Sequence, residues 1–278
     1  MSEKKRSIIL VPHDFSEVAE NAVKHAIELC RLFNNELYLL HIVESGEKDV
    51  EAEVTAKLEG IAKGLATGGL KVTALTKRGS IFETIGETAD SLDTNLVVMG
   101  THGIKGMQFI TGSRAIKVIT SSNAPFVVVQ KKALRPAGFK NIVLPLDLTA
   151  KIKAKLYWAA YLGKKFGATF HIFVKEEKDE FLAKSVRNNL ASAESLFMQE
   201  GIQYTVTHDT EGGDFADQTI SFASGKDADL IVIMTNQGRV SFKFGPDDQR
   251  VIANVSQIPV MCVNPKDDNT VSGSILSV

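Results

Sequence analysis

Ile9-Leu10-Val11-Pro12-His13-Asp14-Phe15-Ser16 returns 133 positions later as Ile142-Val143-Leu144-Pro145-Leu146-Asp147-Leu148-Thr149. The same offset sets Leu32-Phe33-Asn34-Asn35 against Lys165-Phe166-Gly167-Ala168, and a strand-like run follows each, Leu37 to Val43 and Phe170 to Val174. Farther along, the register drifts by one residue. Asn95-Leu96-Val97-Val98 meets Asp229-Leu230-Ile231-Val232, and Pro125-Phe126-Val127-Val128-Val129 meets Pro259-Val260-Met261-Cys262-Val263. A spacing held from end to end marks a duplicated unit, and 278 residues suffice for two domains of ordinary size.

Within the first copy, the apolar run Ile8 to Val11 stops at Pro12, and Ser16 is placed to cap a helix. Val18, Ala19, Ala22, Val23, Ala26, Leu29, Cys30 and Phe33 then recur at helical spacing, which predicts an amphipathic helix with one face on a sheet. Strand-like runs follow at Leu37 to Val43, Leu70 to Thr76, Leu96 to Gly100 and Phe126 to Val129, with a second helical pattern over Val54, Leu58, Ile61, Ala62 and Leu65. Leu37-Tyr38-Leu39-Leu40 and Ile231-Val232-Ile233 are almost continuously apolar, as strands covered on both faces are. Strands separated by helices predict right-handed βαβ units wound on both faces of a parallel sheet. The expected fold class is α/β: two tandem doubly wound, Rossmann-like domains. Lys131 to Phe139, with its two lysines, Arg-Pro pair and Gly, breaks the periodic pattern and predicts the linker. The expected domains are residues 1–133 and 134–268, with 269–278 a flexible tail.

Composition narrows the function classes. Hydrophobic residues make up 44% and charged residues 23% of the chain, the balance of a globular protein. With 32 basic against 33 acidic residues the formal net charge is −1, so no whole-chain field favours nucleic acid or an anionic membrane. Cys30 and Cys262 are too few for a disulfide framework and too far apart for a CxxC metal site, and both read as buried thiols in a reducing compartment. The apolar run after the charged start is too short for a signal-peptide core or a membrane span, so a cytoplasmic location is the expectation.

The chemistry concentrates in Val97-Val98-Met99-Gly100-Thr101-His102-Gly103-Ile104-Lys105-Gly106, closing at Thr111-Gly112-Ser113-Arg114 before another helical pattern. Glycines after a strand let the backbone turn tightly and offer successive N–H groups to an anion. Gly112-Ser113 at a helix start adds unpaired N–H groups, a hydroxyl and the positive end of the helix dipole. On this segment alone a bland structural turn is an equal reading. Its setting favours a ligand, because open parallel sheets bind beyond the carboxyl ends of their strands where the strand order reverses. Asp14 after the first strand and His102 after the fourth are expected at that edge. The segment lacks the Walker A lysine, so it is not a P-loop. Lys105 and Arg114 read as solvated surface charges rather than phosphate ligands.

Val11-Pro12-His13-Asp14-Phe15-Ser16, Leu39-Leu40-His41-Ile42-Val43, and Gly100-Thr101-His102-Gly103 with Gly112-Ser113 together resemble the universal stress protein family, and the resemblance runs along nearly the whole chain twice. It implies a five-stranded parallel sheet in each domain. It also implies ATP or a related adenine nucleotide as cofactor, with Mg²⁺ accompanying it, because the family's ATP-binding members carry Gly-x2-Gly-x9-Gly-(Ser/Thr). Pro12 and Asp14 would line the adenine and ribose end, with the backbone around Val43 facing the base. Gly100, Gly103, Gly112 and Ser113 would wrap ribose and phosphates. One departure stands out: eight residues, 104 through 111, separate Gly103 from Gly112 where the family pattern has nine.

The second copy has lost this loop. Without a gap, Gly100 falls on Met234, Thr101 on Thr235, His102 on Asn236 and Gly103 on Gln237. A one-residue shift recovers Gly238, but Gly245 is then followed by Pro246, which has no N–H for an anion, and by Asp247 and Asp248, which repel phosphate. Asp147 is left to cap a turn. The expected role of this half is pairing or partner contact.

Other polar and aromatic residues have plainer readings. His41 lies within an apolar strand and reads as structural, while His13 and His102 lack a third ligand for a metal and are candidates for hydrogen bonds to phosphate. Trp158 and Tyr161 share a helix face and read as packing rather than base stacking. There is no nucleophile elbow, no His-Glu-x-x-His and no recognisable Cys/His pair. The final strands, Val127 to Val129 and Val260 to Val263, are expected to pair because bare edges aggregate. The family resemblance implies that pairing across a two-fold axis, either between the two copies or in a homodimer. Three functions follow in order: a non-catalytic adenine-nucleotide sensor, a slow ATP hydrolase using Asp14 and His102, and a nucleotide-free scaffold.

Overall fold

The computed structural model describes residues 7–44, 50–101, 112–136, 138–149, 152–210, 212–235 and 246–264, with backbone alone for residues 112, 113, 246 and 247. The chain divides into two compact units, residues 1–133 and 134–278. The expected tail, 269–278, lies outside the described residues.

In the first unit the elements run β1 (Ile8–Pro12), α1 (Glu17–Phe33), β2 (Glu36–Val43), α2 (Glu51–Leu65), β3 (Val72–Arg78), α3 (Ile81–Ser91), β4 (Leu96–Gly100), α4 (Gly112–Ile119) and β5 (Phe126–Val129). The five strands lie in the order β3-β2-β1-β4-β5, and every pair is parallel. The chain winds outward from β1 to β3, then crosses back over β1 to β4. Right-handed crossovers put α1 and α2 on one face and α3 and α4, which pack on each other, on the opposite one. Burial follows from this double cover: Ile9, Leu10, Val11, Leu37, Leu39, Val97 and Val98 are all fully buried.

Helix α1 forms where the sequence predicts it. Ser16 Oγ accepts from the Ala19 N–H at 3.3 Å, and Glu17 and Glu20 suit the first-turn dipole. Asn34, at φ 58°, ends the helix in the left-handed region. The third strand starts two residues later than its apolar run suggests. Leu70 donates to the Thr67 carbonyl, closing a turn through Gly68 and Gly69, both at positive φ, so pairing begins only at Val72. Helix α3, which had no strong apolar pattern, is capped by Ser80 and buries Thr84 and Thr88 beside Ile85 and Ala89. Its buried face is half polar, and Thr88 Oγ1 satisfies itself on the Thr84 carbonyl at 2.6 Å.

The second unit repeats the pattern with β6 (Asn141–Leu146), α5 (Lys153–Phe166), β7 (Thr169–Val174), α6 (Glu180–Glu200), β8 (Gln203–His208), α7 (Phe215–Gly225), β9 (Leu230–Met234), α8 (Pro246–Ile252) and β10 (Val260–Val263). Its strands lie in the order β10-β9-β6-β7-β8, again all parallel. Asp179 and Asp214 cap α6 and α7 through their side chains, and Gly167 and Gly201 end α5 and α6 in the left-handed region. Trp158 is buried against Tyr161, edge to face at 5.6 Å, as a packing pair. Both cysteines are free and buried, and burial pushes the Cys30 thiol up to about 12. Among the described residues no helix is long and apolar enough to cross a membrane.

Candidate functional site

The strand order fixes where a ligand can enter the first unit. Connections leave β1 toward β2 and return past it to β4, so the carboxyl ends of β1 and β4 diverge and open a crevice. Asp14 stands just past β1, and Gly100 ends β4. Pro12, half-buried, is the last residue of β1 and pairs with Leu40.

The turn after Pro12 is tightly specified. Asp14 is exposed, and its Oδ1 accepts from the Ser16 N–H at 3.0 Å and from Ser16 Oγ at 2.5 Å. Its second carboxylate oxygen has no partner among the described residues and is available to a ligand hydroxyl. Phe15, between them, adopts φ 65°. Its N–H donates to His13 Nδ1 at 3.2 Å, and its ring lies on His41 at 4.8 Å with Lys57 Nζ 4.1 Å from its centroid. His13 is only 3% exposed, and its Nδ1 is taken up by the turn. Burial holds its pKa below the ordinary imidazole value, against the opposing pull of Asp14 and Glu20.

Beside this turn, the edge of β2 stays open. Pairing of β1 with β2 ends at Pro12–Leu40, where the His13 N–H donates to the Leu40 carbonyl at 2.8 Å. In a parallel ladder the next residue to face β1 is Ile42. The carbonyl that would receive its N–H, that of His13, accepts instead from His41 Nδ1 at 2.7 Å. Ile42 is half-buried, and neither its N–H nor its C=O has a partner among the described residues. Val43, which the family resemblance points to, is fully buried and faces the other way, its carbonyl accepting from the Gly79 N–H at 3.2 Å. The backbone donor and acceptor left open at this edge therefore belong to Ile42. Sequence pattern misses this residue because only the register of the ladder decides which backbone groups face outward.

Gly100 serves packing. A Cβ there would come within 2.4 Å of the Val18 carbonyl oxygen, so the missing side chain lets the first turn of α1 lie against β4. Thr101 follows, buried, its N–H on the Val129 carbonyl at 2.8 Å and its Oγ1 without a partner among the described residues. His102, Gly103 and the residues through Thr111 lie outside the described residues. Gly112 and Ser113 form the start of α4, as their sequence suggests, and Arg114 is exposed. Among the described residues no group of His, Cys, Asp and Glu could hold a metal ion.

The second unit keeps the aspartate turn but differs at the strand edge, at the end of the fourth strand and at the helix start. Pairing of β6 with β7 continues one residue further, to Leu146–Val174, and the Lys175 N–H, which matches that of Ile42, closes on the Leu146 carbonyl at 2.8 Å. Val174 stands where His41 stands in the first copy and has no side-chain N–H to intervene. Met234 replaces Gly100 and is buried, while α5 begins three residues later in the repeat register than α1. Lys155, in place of Ala22, is 2% exposed and donates from Nζ to the Pro145 carbonyl at 2.8 Å. Burial lowers its pKa, with Asp147 and Asp248 opposing. Asp147 Oδ1 accepts from the Thr149 N–H at 2.9 Å, the turn-capping role expected of it. The amide of Asn189 ties down the carbonyls of Asp147 and Thr149.

The fold is that of an α/β protein with a parallel sheet and a candidate ligand site at its switch point. Comparison with known proteins gives the class a family. The model of the universal stress protein family matches residues 5–130. A universal stress protein of Methanocaldococcus jannaschii is 31% identical over 153 residues, 45% of this chain and 94% of that protein. Another from Synechocystis is 30% identical over 132 residues, 44% of this chain and 83% of that protein. The crystal structure of a universal stress protein from Archaeoglobus fulgidus superposes with a TM-score of 0.75 at 18% identity, covering 94% of this chain and 97% of that one. The chain belongs to the universal stress protein family.

Proposed function

We propose that the first unit binds one ATP or related adenine nucleotide and that the protein acts as a non-catalytic, nucleotide-responsive regulator. The observation that carries this reading is the open edge at Ile42. An N–H and a C=O, side by side and unpaired among the described residues, present the donor and acceptor that an adenine edge requires, and the copy without a glycine loop closes the same N–H internally. Asp14, with one carboxylate oxygen free among the described residues, suits a ribose hydroxyl, and the N-terminus of α4 at Gly112 and Ser113 suits the phosphates. Bound nucleotide would bring Mg²⁺ with its phosphates, and the described residues add no metal cluster to it.

The second unit, with Lys155 anchored at Pro145 and Met234 in place of Gly100, takes the part of pairing or partner contact, within one chain or between two. Calorimetric titration of nucleotide-stripped protein with ATP tests the reading. Wild type binds, and Asp14→Ala weakens binding about tenfold or more, the weight of a hydrogen bond to a charged group. No binding by stripped wild type sinks the proposal.

A further inference from the structure

Phe15 holds φ 65°, a region a bulky L residue rarely adopts, while Leu148 at the matching place in the second unit does not share it. The strained turn is what carries Asp14 past the end of β1, and its backbone anchor is the Phe15 N–H on His13 Nδ1. That bond requires Nδ1 to offer a lone pair, so the imidazole carries its proton on Nε2. A second proton turns the acceptor into a donor facing the Phe15 N–H. The anchor is then lost, and the strained conformation with it.

From this geometry we infer that His13 is a positioning residue that makes nucleotide binding at Asp14 sensitive to pH, with the turn formed when His13 is neutral and released when it is protonated. The inference rests on the nucleotide reading given above. The groups facing His13 are Asp14 from its own turn, Glu20 from α1, His41 from β2 and Lys57 from α2. Burial, aided by His41 and Lys57, favours the neutral ring, and the two carboxylates oppose it. The balance lies below the ordinary value of 6.5, so the turn is intact at neutral pH and opens as the pH falls through the lowered value.

The test compares ATP affinity of full-length wild type, His13→Asn and His13→Ala at about pH 7.5 and about pH 4.5, the second well below the ordinary imidazole range. Asparagine sets an amide oxygen near the position of Nδ1, so it accepts the Phe15 N–H without titrating. Protonation of ATP itself is common to all three proteins and cancels in the comparison. Between the two pH values wild type should weaken about fivefold more than His13→Asn, the weight of one hydrogen bond. His13→Ala should bind weakly at both, and the Phe15 amide resonance should follow the His13 titration in the free protein. Parallel pH profiles for wild type and His13→Asn overturn the inference alone. Absence of binding by wild type at about pH 7.5 overturns the nucleotide reading and takes the inference with it.

Discussion

Gly100 shows how one residue type serves two demands. Its place at the end of a strand and the head of a glycine loop suggests contact with phosphates, yet the space a side chain would need is filled by the backbone of Val18 and Ala19. Gly100→Ala should therefore destabilise the fold by about 2–3 kcal/mol, as overpacking in a closed core does. Urea denaturation reads this directly, and an unchanged midpoint would show that α1 can retreat. The same crowding makes Gly100 a poor position at which to probe ligand binding, whereas Asp14 is exposed and can be altered without touching the core. His13 and His41 were both legible as residues of the ligand edge or its strand. Their division of labour was not, because it depends on which ring nitrogen meets which backbone group.

At the level of elements, the difference between the copies lies at the end of one strand. Strand β2 keeps an unpaired edge because the side chain of His41 takes the carbonyl that Ile42 would use, and β7 carries Val174 there and zips one residue further. His41→Val should convert the first pattern into the second: the Ile42 amide should gain protection from hydrogen exchange, and ATP affinity should fall about fivefold or more, the value of one backbone bond withdrawn from the ligand. An Ile42 amide that exchanges as fast in the variant as in wild type would falsify this account of the edge. Helix starts also differ. The Ser16 cap brings the first turn of α1 over Gly100, and the later start of α5 leaves room for the buried Met234. Most elements were readable from apolar periodicity and caps. Helix α3 and the start of β3 were less so, since one buries threonines and the other waits on a glycine turn.

Across the whole molecule, duplication has produced two units with the same strand order and unequal sites. Calorimetry with ATP should give a stoichiometry of one per chain, and Asp147→Asn should leave it unchanged, because the second unit closes the Lys175 N–H on the Leu146 carbonyl and carries a buried Met234 in place of Gly100. A value of two would restore the second unit as a binding domain. The sequence by itself determined the repeat, the α/β class and the parallel strands, since each is written in local spacing: offsets, apolar runs and helix caps recur at fixed intervals; the family resemblance rests on the motif residues at the strand ends. Only the tertiary structure decided which groups face the crevice. Ile42 rather than Val43 is open, His13 supports the turn, Gly100 makes room for α1, and Lys155 is buried at Pro145. Each of these depends on register and on contacts between residues distant in the chain, and a one-residue change in where two strands stop pairing is enough to turn a donor from solvent to sheet.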